Sequence, residues 1–130
     1  MVGHSAKRPF PRLTYGALKE QGKVVFAVDP STDEVDGDPT CADLDSLPGA
    51  VDAVVIEVPQ GESAQWVRKA AALGVRDVWL HMNTASEEAL AVARDANLRL
   101  RHGTCAVMYL KQGFTYHSIH RWVNRLRGKY

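Results

Sequence analysis

The chain has 130 residues, 45% of them hydrophobic, with 16 Lys and Arg against 15 Asp and Glu and a formal net charge of +1. That length supports one domain with a single core, here residues 1–130, and the charge balance argues against a global attraction to nucleic acid or acidic membranes. No apolar run approaches bilayer-crossing length and no signal peptide is recognisable, so a cytoplasmic protein is expected.

The charge is unevenly spread. Lys and Arg are absent between Val24 and Val67, whereas Asp and Glu are absent from Leu98 to Tyr130. One edge should therefore be acidic and the tail basic. The two cysteines, Cys41 and Cys105, are spaced neither as a disulfide framework nor as a zinc site, and reduced thiols are expected.

The opening VGHSAKRP (2–9) reads as a glycine turn leading into a helix that begins near Arg12. Gly3 permits close backbone approach, Ser5 offers a hydroxyl, and Lys7 and Arg8 add cationic donors to free N–H groups. Such a loop suits phosphate, although it has no G-x-G-x-x-G and no P-loop lysine. A solvated basic turn is the plainer alternative.

Three short runs follow that suit strands buried on both faces: VVFAV (24–28), AVVIEV (53–58) and VWLHM (78–82). The crossover from Asp29 to Ala50 is rich in turn formers and should hold only a short helix around Ala42 to Leu47. ESAQWVRKAAAL (62–73) places Trp66, Val67, Ala70 and Leu73 on one stripe, with Gly74 as a stop. SEEALAVARDA (86–96) carries acids in its first turn behind a Ser86 cap. LRLR (98–101) reads as a fifth, edge-like strand, and HSIHRWVNRLRG (117–128) as an amphipathic helix packed on the body. The expected fold is α/β, Rossmann-like and doubly wound, with a mainly parallel five-stranded sheet and helices on both faces. Ligands of such sheets lie beyond the carboxyl ends of the strands. Asp29-Pro30 and Pro59-Gln60 end two strands on that rim, beside the basic loop.

In order and spacing these features resemble the small CoA-binding domain family, single-domain relatives of the amino-terminal domain of succinyl-CoA synthetase α subunits. The matching residues are Val2-Gly3-His4-Ser5, Arg8-Pro9, Gly22, Val28-Asp29-Pro30, Gly37, Leu44, Leu47-Pro48 and Val51-Asp52-Ala53-Val54-Val55. Ala70, Gly74, Trp79-Leu80 and Cys105 continue the pattern. The resemblance implies coenzyme A as ligand, with Gly3, His4, Ser5, Ala6, Lys7 and Arg8 around its phosphates. It places Asp29, Pro30 and Ser31 beside the adenosine, and Val58, Pro59, His81 and Met82 along the rim. It implies a binding module without catalysis of its own, since the synthetases' phosphohistidine machinery lies in segments without a counterpart here.

Two departures stand out. The family often has Asn where this chain has Asp29; a carboxylate suits a ribose hydroxyl and keeps an NAD(P)-binding protein or small oxidoreductase as the alternative. Only Met1 and Val2 stand where the family's central first strand would run, so the strand is truncated. About four buried apolar residues, each contributing roughly 1.5–3 kcal/mol, rival the stability of a small domain. Translation is therefore expected to start further upstream.

Other candidates carry bland readings beside sharp ones. Cys105 is either a small buried residue or a thiol near the ligand's tail, able to form a mixed disulfide with CoA. His117 and His120 share a helix face but lack a third ligand, so no metal is expected. His4 and His81 lie on the proposed rim, where donation to phosphate is simpler than acid–base work. The basic tail, with Arg121 and Arg125 on one face, leaves nucleic-acid binding as a third function. Its alternative is contact with the acidic middle of this chain or of a second subunit in a homodimer.

Overall fold

The computed structural model describes residues 1–110, with side chains through Met108. The expected helix at 117–128, the His117–His120 pair and the basic tail lie outside the described residues. No helix among those described is long and apolar enough to cross a membrane.

Three helices stand where local chemistry starts and stops them. α1 (Arg12–Glu20) follows Pro9 and Pro11 and is closed by Gly22 at φ 73°. A 3₁₀ turn over Gln60–Glu62 leads into α2 (Ser63–Ala72), which ends before Gly74 at φ 77°. α3 (Glu87–Asp95) is capped by the Ser86 hydroxyl, which accepts from the Ala89 N–H at 3.1 Å; Glu87 and Glu88 meet the positive end of its dipole. A fourth, single-turn helix, α4 (Val107–Leu110), lies against α1.

The strands are β1 (Ala27–Val28), β2 (Glu34–Val35), β3 (Asp38–Cys41), β4 (Ala53–Ile56), β5 (Asp77–His81) and β6 (Arg99–Thr104). Two of them, β1 and β4, are shorter than the apolar runs that foretold them, β5 keeps the length of its run, and β6 is longer. The expected five-stranded sheet is instead two three-stranded sheets, β1-β3-β2 and β4-β5-β6. The second is parallel throughout. In the first, β3 runs parallel to β1 and pairs antiparallel with β2.

The physical reason is the shortness of the central element. Val2 makes only isolated parallel bridges, to Val28 on one side and Ile56 on the other. Its N–H donates to the Val55 carbonyl at 2.8 Å and its carbonyl accepts from the Glu57 N–H at 2.9 Å. One residue links the sheets but is not a strand.

The crossover holds more than the short helix expected over 42–47. That helix is reduced to a 3₁₀ turn at Leu44–Ser46, closed by a reciprocal Asp43–Ser46 capping box. Ahead of it, β2 and β3 form a hairpin through Asp36 and Gly37, at φ 52° and 80°. Two residues of positive φ make a turn whose twist matches its flanking strands. Further on, two steps along β5 (Trp79 to His81) match three along β6 (Arg101 to Thr104). This irregularity includes Gly103 at φ 74°, and such an extra residue re-aims the chain beyond it.

Alternate residues of the strands feed two cores. Val54, Ile56, Val78 and Leu80 meet α2 and α3 through Trp66, Val67, Ala70, Ala89 and Ala93. Met1, Ala27 and Val35 meet the α1 side through Phe10 and Tyr15, whose rings pack edge to face at 5.8 Å. At the amino end of the strands a cavity of about 470 Å³ opens between Val24–Phe26 and Ala50–Val55, with Met1 at its head. The Met1 ammonium donates to the Phe26 carbonyl at 2.9 Å, and burial pulls its pKa down to about 5.

Gly3 is required by its neighbours. A Cβ there would stand 2.6 and 2.8 Å from the Phe10 ring and 2.9 Å from Pro11. Gly3→Ala should therefore cost about 1–3 kcal/mol by overpacking, read as a lower urea midpoint. A short β-branched extension placed ahead of Met1 should fill the cavity as a strand and raise the melting temperature. An unchanged melting temperature would show that the cavity does not accept one.

Candidate functional site

The carboxyl ends of the strands bring the candidate residues to one edge. Gly3 follows Val2, Asp29 follows β1, Glu57 follows β4, His81 ends β5 and Cys105 follows β6. The loop over residues 3–8 lies along this edge, at the opposite end of the strands from the 470 Å³ cavity.

Asp29 anchors the loop. Its Oδ2 accepts from the Ser5 N–H at 2.9 Å and from the Ser5 hydroxyl; its Oδ1 accepts from the Ser31 N–H at 2.9 Å and the Ser31 hydroxyl at 2.6 Å. Burial opposes ionisation here, but the hydroxyls and N–H groups of Ser31 and Ser5 outweigh it and hold the carboxyl below its ordinary range. An ionised carboxylate has about four acceptor sites, and all are in use. Asp29 is 1% exposed. The role foreseen from its departure, accepting from a ribose hydroxyl, finds no free lone pair in this arrangement.

The loop's amides are also committed. The Ala6 N–H donates to the Ser31 hydroxyl at 2.9 Å, and the Lys7 and Arg8 N–H groups donate to the His4 carbonyl at 3.0 and 3.1 Å. The expectation of free amides between Ser5 and Arg8 is thus corrected: they shape the turn. What the loop offers outward is side-chain charge. Arg8 is half-buried, and its guanidinium makes no hydrogen bond or ion pair with any described residue.

Lys7 has a partner that sequence reasoning missed. Glu62, at the entrance to α2, accepts from Lys7 through Oε1 and pairs with His4 Nδ1 at 2.7 Å through Oε2. Burial pushes the Glu62 carboxyl up, but bonds from Lys7 and His4 override it and the net shift is downward. A carboxylate in this position holds Lys7 and His4 as a phosphate oxygen would. Read locally, Glu62 is only an acid in the first turn of a helix, and nothing in its neighbours signals a contact with residues 4 and 7.

Farther along the edge the other expected residues separate. Val58 is fully buried, and its carbonyl accepts from the Thr84 hydroxyl at 3.2 Å, so only backbone reaches the edge there. Pro59 is half-buried, while Pro30 and Met82 are exposed. His81 turns to a second cluster. Its Nδ1 lies 3.1 Å from Glu57 Oε1, which also accepts from the Thr14 hydroxyl at 2.6 Å. Cys105 lies beside the same imidazole, since Thr104 pairs with His81 and the Ala106 N–H reaches His81 Nδ1 at 3.5 Å. Burial pushes the imidazole down, but Cys105 and Glu57 push it up more strongly, to about 9. Burial pushes the thiol up; His81, with the Val107 amide, reverses that and lowers it. No group of three or more side chains suited to a metal occurs among the described residues.

Comparison with known proteins agrees with this architecture. A hypothetical protein from Pyrococcus horikoshii OT3 superposes with a TM-score of 0.72 at 24% identity, covering 82% of this chain and 78% of that one. A conserved hypothetical protein from Pyrococcus furiosus gives 0.72 at 24% identity, over 83% and 97%. A Thermus thermophilus protein, cell-free ID.343, gives 0.68 at 22%, over 85% and 89%. At such identities the likeness speaks for the fold. No curated protein matches the sequence. The model of the CoA binding domain matches residues 1–111, and the chain belongs to that family.

Proposed function

We propose that the chain binds coenzyme A or an acyl-CoA along the carboxyl edge of its strands, as a binding module without catalysis of its own. The phosphates lie at the loop over residues 3–8, facing Lys7 and Arg8. The observation that carries this reading is the presence of these two cations on the ligand edge of a chain that matches the CoA-binding domain over residues 1–111. Pro30 and Ser31 border the adenosine, and Pro59, His81 and Met82 flank the remainder.

The chemistry of recognition follows from the committed amides. With its N–H groups used internally, the loop is preorganised, and binding rests on charge-assisted contacts from side chains. Glu62 occupies Lys7 and His4 in the absence of ligand, so an arriving phosphate competes with a carboxylate. His4 and Lys7 then exchange one anion for another while the turn keeps its shape.

Two measurements test this. At about 100 times its dissociation constant a ligand stabilises a fold by roughly 2.7 kcal/mol. A melting series with CoA, dephospho-CoA, acetyl-CoA, NAD and NADP should show the shift with CoA and its acyl form, and replacing both Lys7 and Arg8 by Ala should abolish most of it. A shift with NAD alone would replace this reading by the dinucleotide one. Glu62→Gln should tighten CoA binding about fivefold, since a partly exposed ion pair is worth up to about 1 kcal/mol. Weaker binding by calorimetry would mean that Glu62 supports the loop rather than competing for it.

A further inference from the structure

The cluster of Glu57, His81 and Cys105 has no part in holding phosphate, yet it is assembled from three separate elements. Glu57 follows β4, His81 ends β5 and Cys105 follows β6. The extra residue of β6 brings Thr104 opposite His81, so that the next residue meets the imidazole. Glu57 is 8% exposed, and the Oε1 that faces His81 also accepts from the Thr14 hydroxyl. It engages His81 through Nδ1 and orients the ring, and Cys105 lies beside the same imidazole, between Thr104, which pairs with His81, and Ala106, whose N–H reaches its Nδ1 at 3.5 Å. A nucleophile, a base and a group that orients the base form the arrangement that activates a thiol. Cys105 is only half-buried, so small molecules can reach it.

We infer that Cys105 exchanges with the disulfide of oxidised coenzyme A, capturing the cofactor as a mixed disulfide on the edge where it binds. This rests on the CoA reading above. The strand pairings place β6 three strand spacings from Val2, roughly 14 Å. A ligand with its phosphates at Lys7 and Arg8 would extend its long pantetheine arm across that span. In the exchange, Cys105 reacts as the thiolate, its proton resting on His81, and attacks one sulfur of the CoA disulfide. The old S–S bond breaks as the Cys105–CoA bond forms, and the released CoA thiolate takes the proton back from His81. The CoA disulfide is the only oxidant required.

Disulfide exchange suits the site better than acyl transfer. The donors near Cys105 that lower its thiol pKa are His81 and the Val107 amide, the Met108 N–H being used by the Cys105 carbonyl at 3.1 Å. They favour the thiolate itself, the species that attacks a disulfide. Acyl transfer would also need donors placed for a carbonyl oxygen.

The test incubates the full chain with CoA disulfide and, in parallel, with glutathione disulfide, followed by intact-mass and peptide mass spectrometry. Cys41, also half-buried, is the internal comparison. The expected result is a reducible CoA adduct on Cys105, formed about tenfold faster than the glutathione adduct or any adduct on Cys41. It should be lost in Cys105→Ser and slowed about tenfold in both His81→Asn and Glu57→Gln, with folding checked by melting. If Cys105 reacts no faster than Cys41 while CoA still raises the melting temperature, the exchange is overturned and the binding site stands. If Cys105 reacts equally with both disulfides and CoA gives no thermal shift, the cofactor reading fails and the capture of CoA fails with it.

Discussion

Everything at the ligand edge depends on the backbone of Val2. Its amide and carbonyl reach Val55 and Glu57, while the residues on either side of it bond Val28: Met1 through its carbonyl and Gly3 through its amide. The side chain is fully buried in the larger core. This one residue spans the gap between two three-stranded sheets and fixes where the chain emerges. Gly3 then turns beneath the Phe10 ring, in a space that excludes a Cβ, and delivers the loop to Asp29. Sheet, turn and loop form one connected constraint.

Polar groups at that edge divide into those that build the site and those left to act. Asp29, with all its acceptor sites used, belongs to the first kind; it is a buried anion kept charged by hydroxyls and amides rather than by a cation. Buried carboxylates are tolerated when their hydrogen bonds are complete. The side chains of Lys7 and Arg8 belong to the second kind, and they are cheap to alter because the turn is held by backbone and by Asp29. The division separates stability from recognition within a span of a few residues.

Much of this was legible in sequence. The β-branched runs located β1, β4 and β5, the Trp66–Ala70 stripe located α2, and Ser86 with its following acids located α3, because each rests on local periodicity or capping. The order of glycines, prolines and apolar runs also pointed to the family. The hairpin was legible but overlooked: Asp36-Gly37 is a strong turn signal, masked by flanking strands that are short and polar. The pairing of Glu62 with His4 and Lys7, and of Glu57 with His81, could not be read locally. Those contacts join residues 55 and more, or 24, positions apart, and only the finished packing decides them. Gly3 was read correctly as a point of close approach, but what approaches it is the protein's own Phe10 and Pro11.

The unequal step between β5 and β6 has a consequence for how this edge tolerates change. Side chains along a strand alternate between faces, so one inserted residue inverts the parity of everything after it. Thr104, nearly buried, and Cys105, half-buried, owe their present sides to the count of residues around His102 and Gly103. Substitution of the exposed His102 would leave the sulfur beside the imidazole. A single-residue deletion would exchange it with its neighbour, so the chemistry here is guarded by spacing more than by identity.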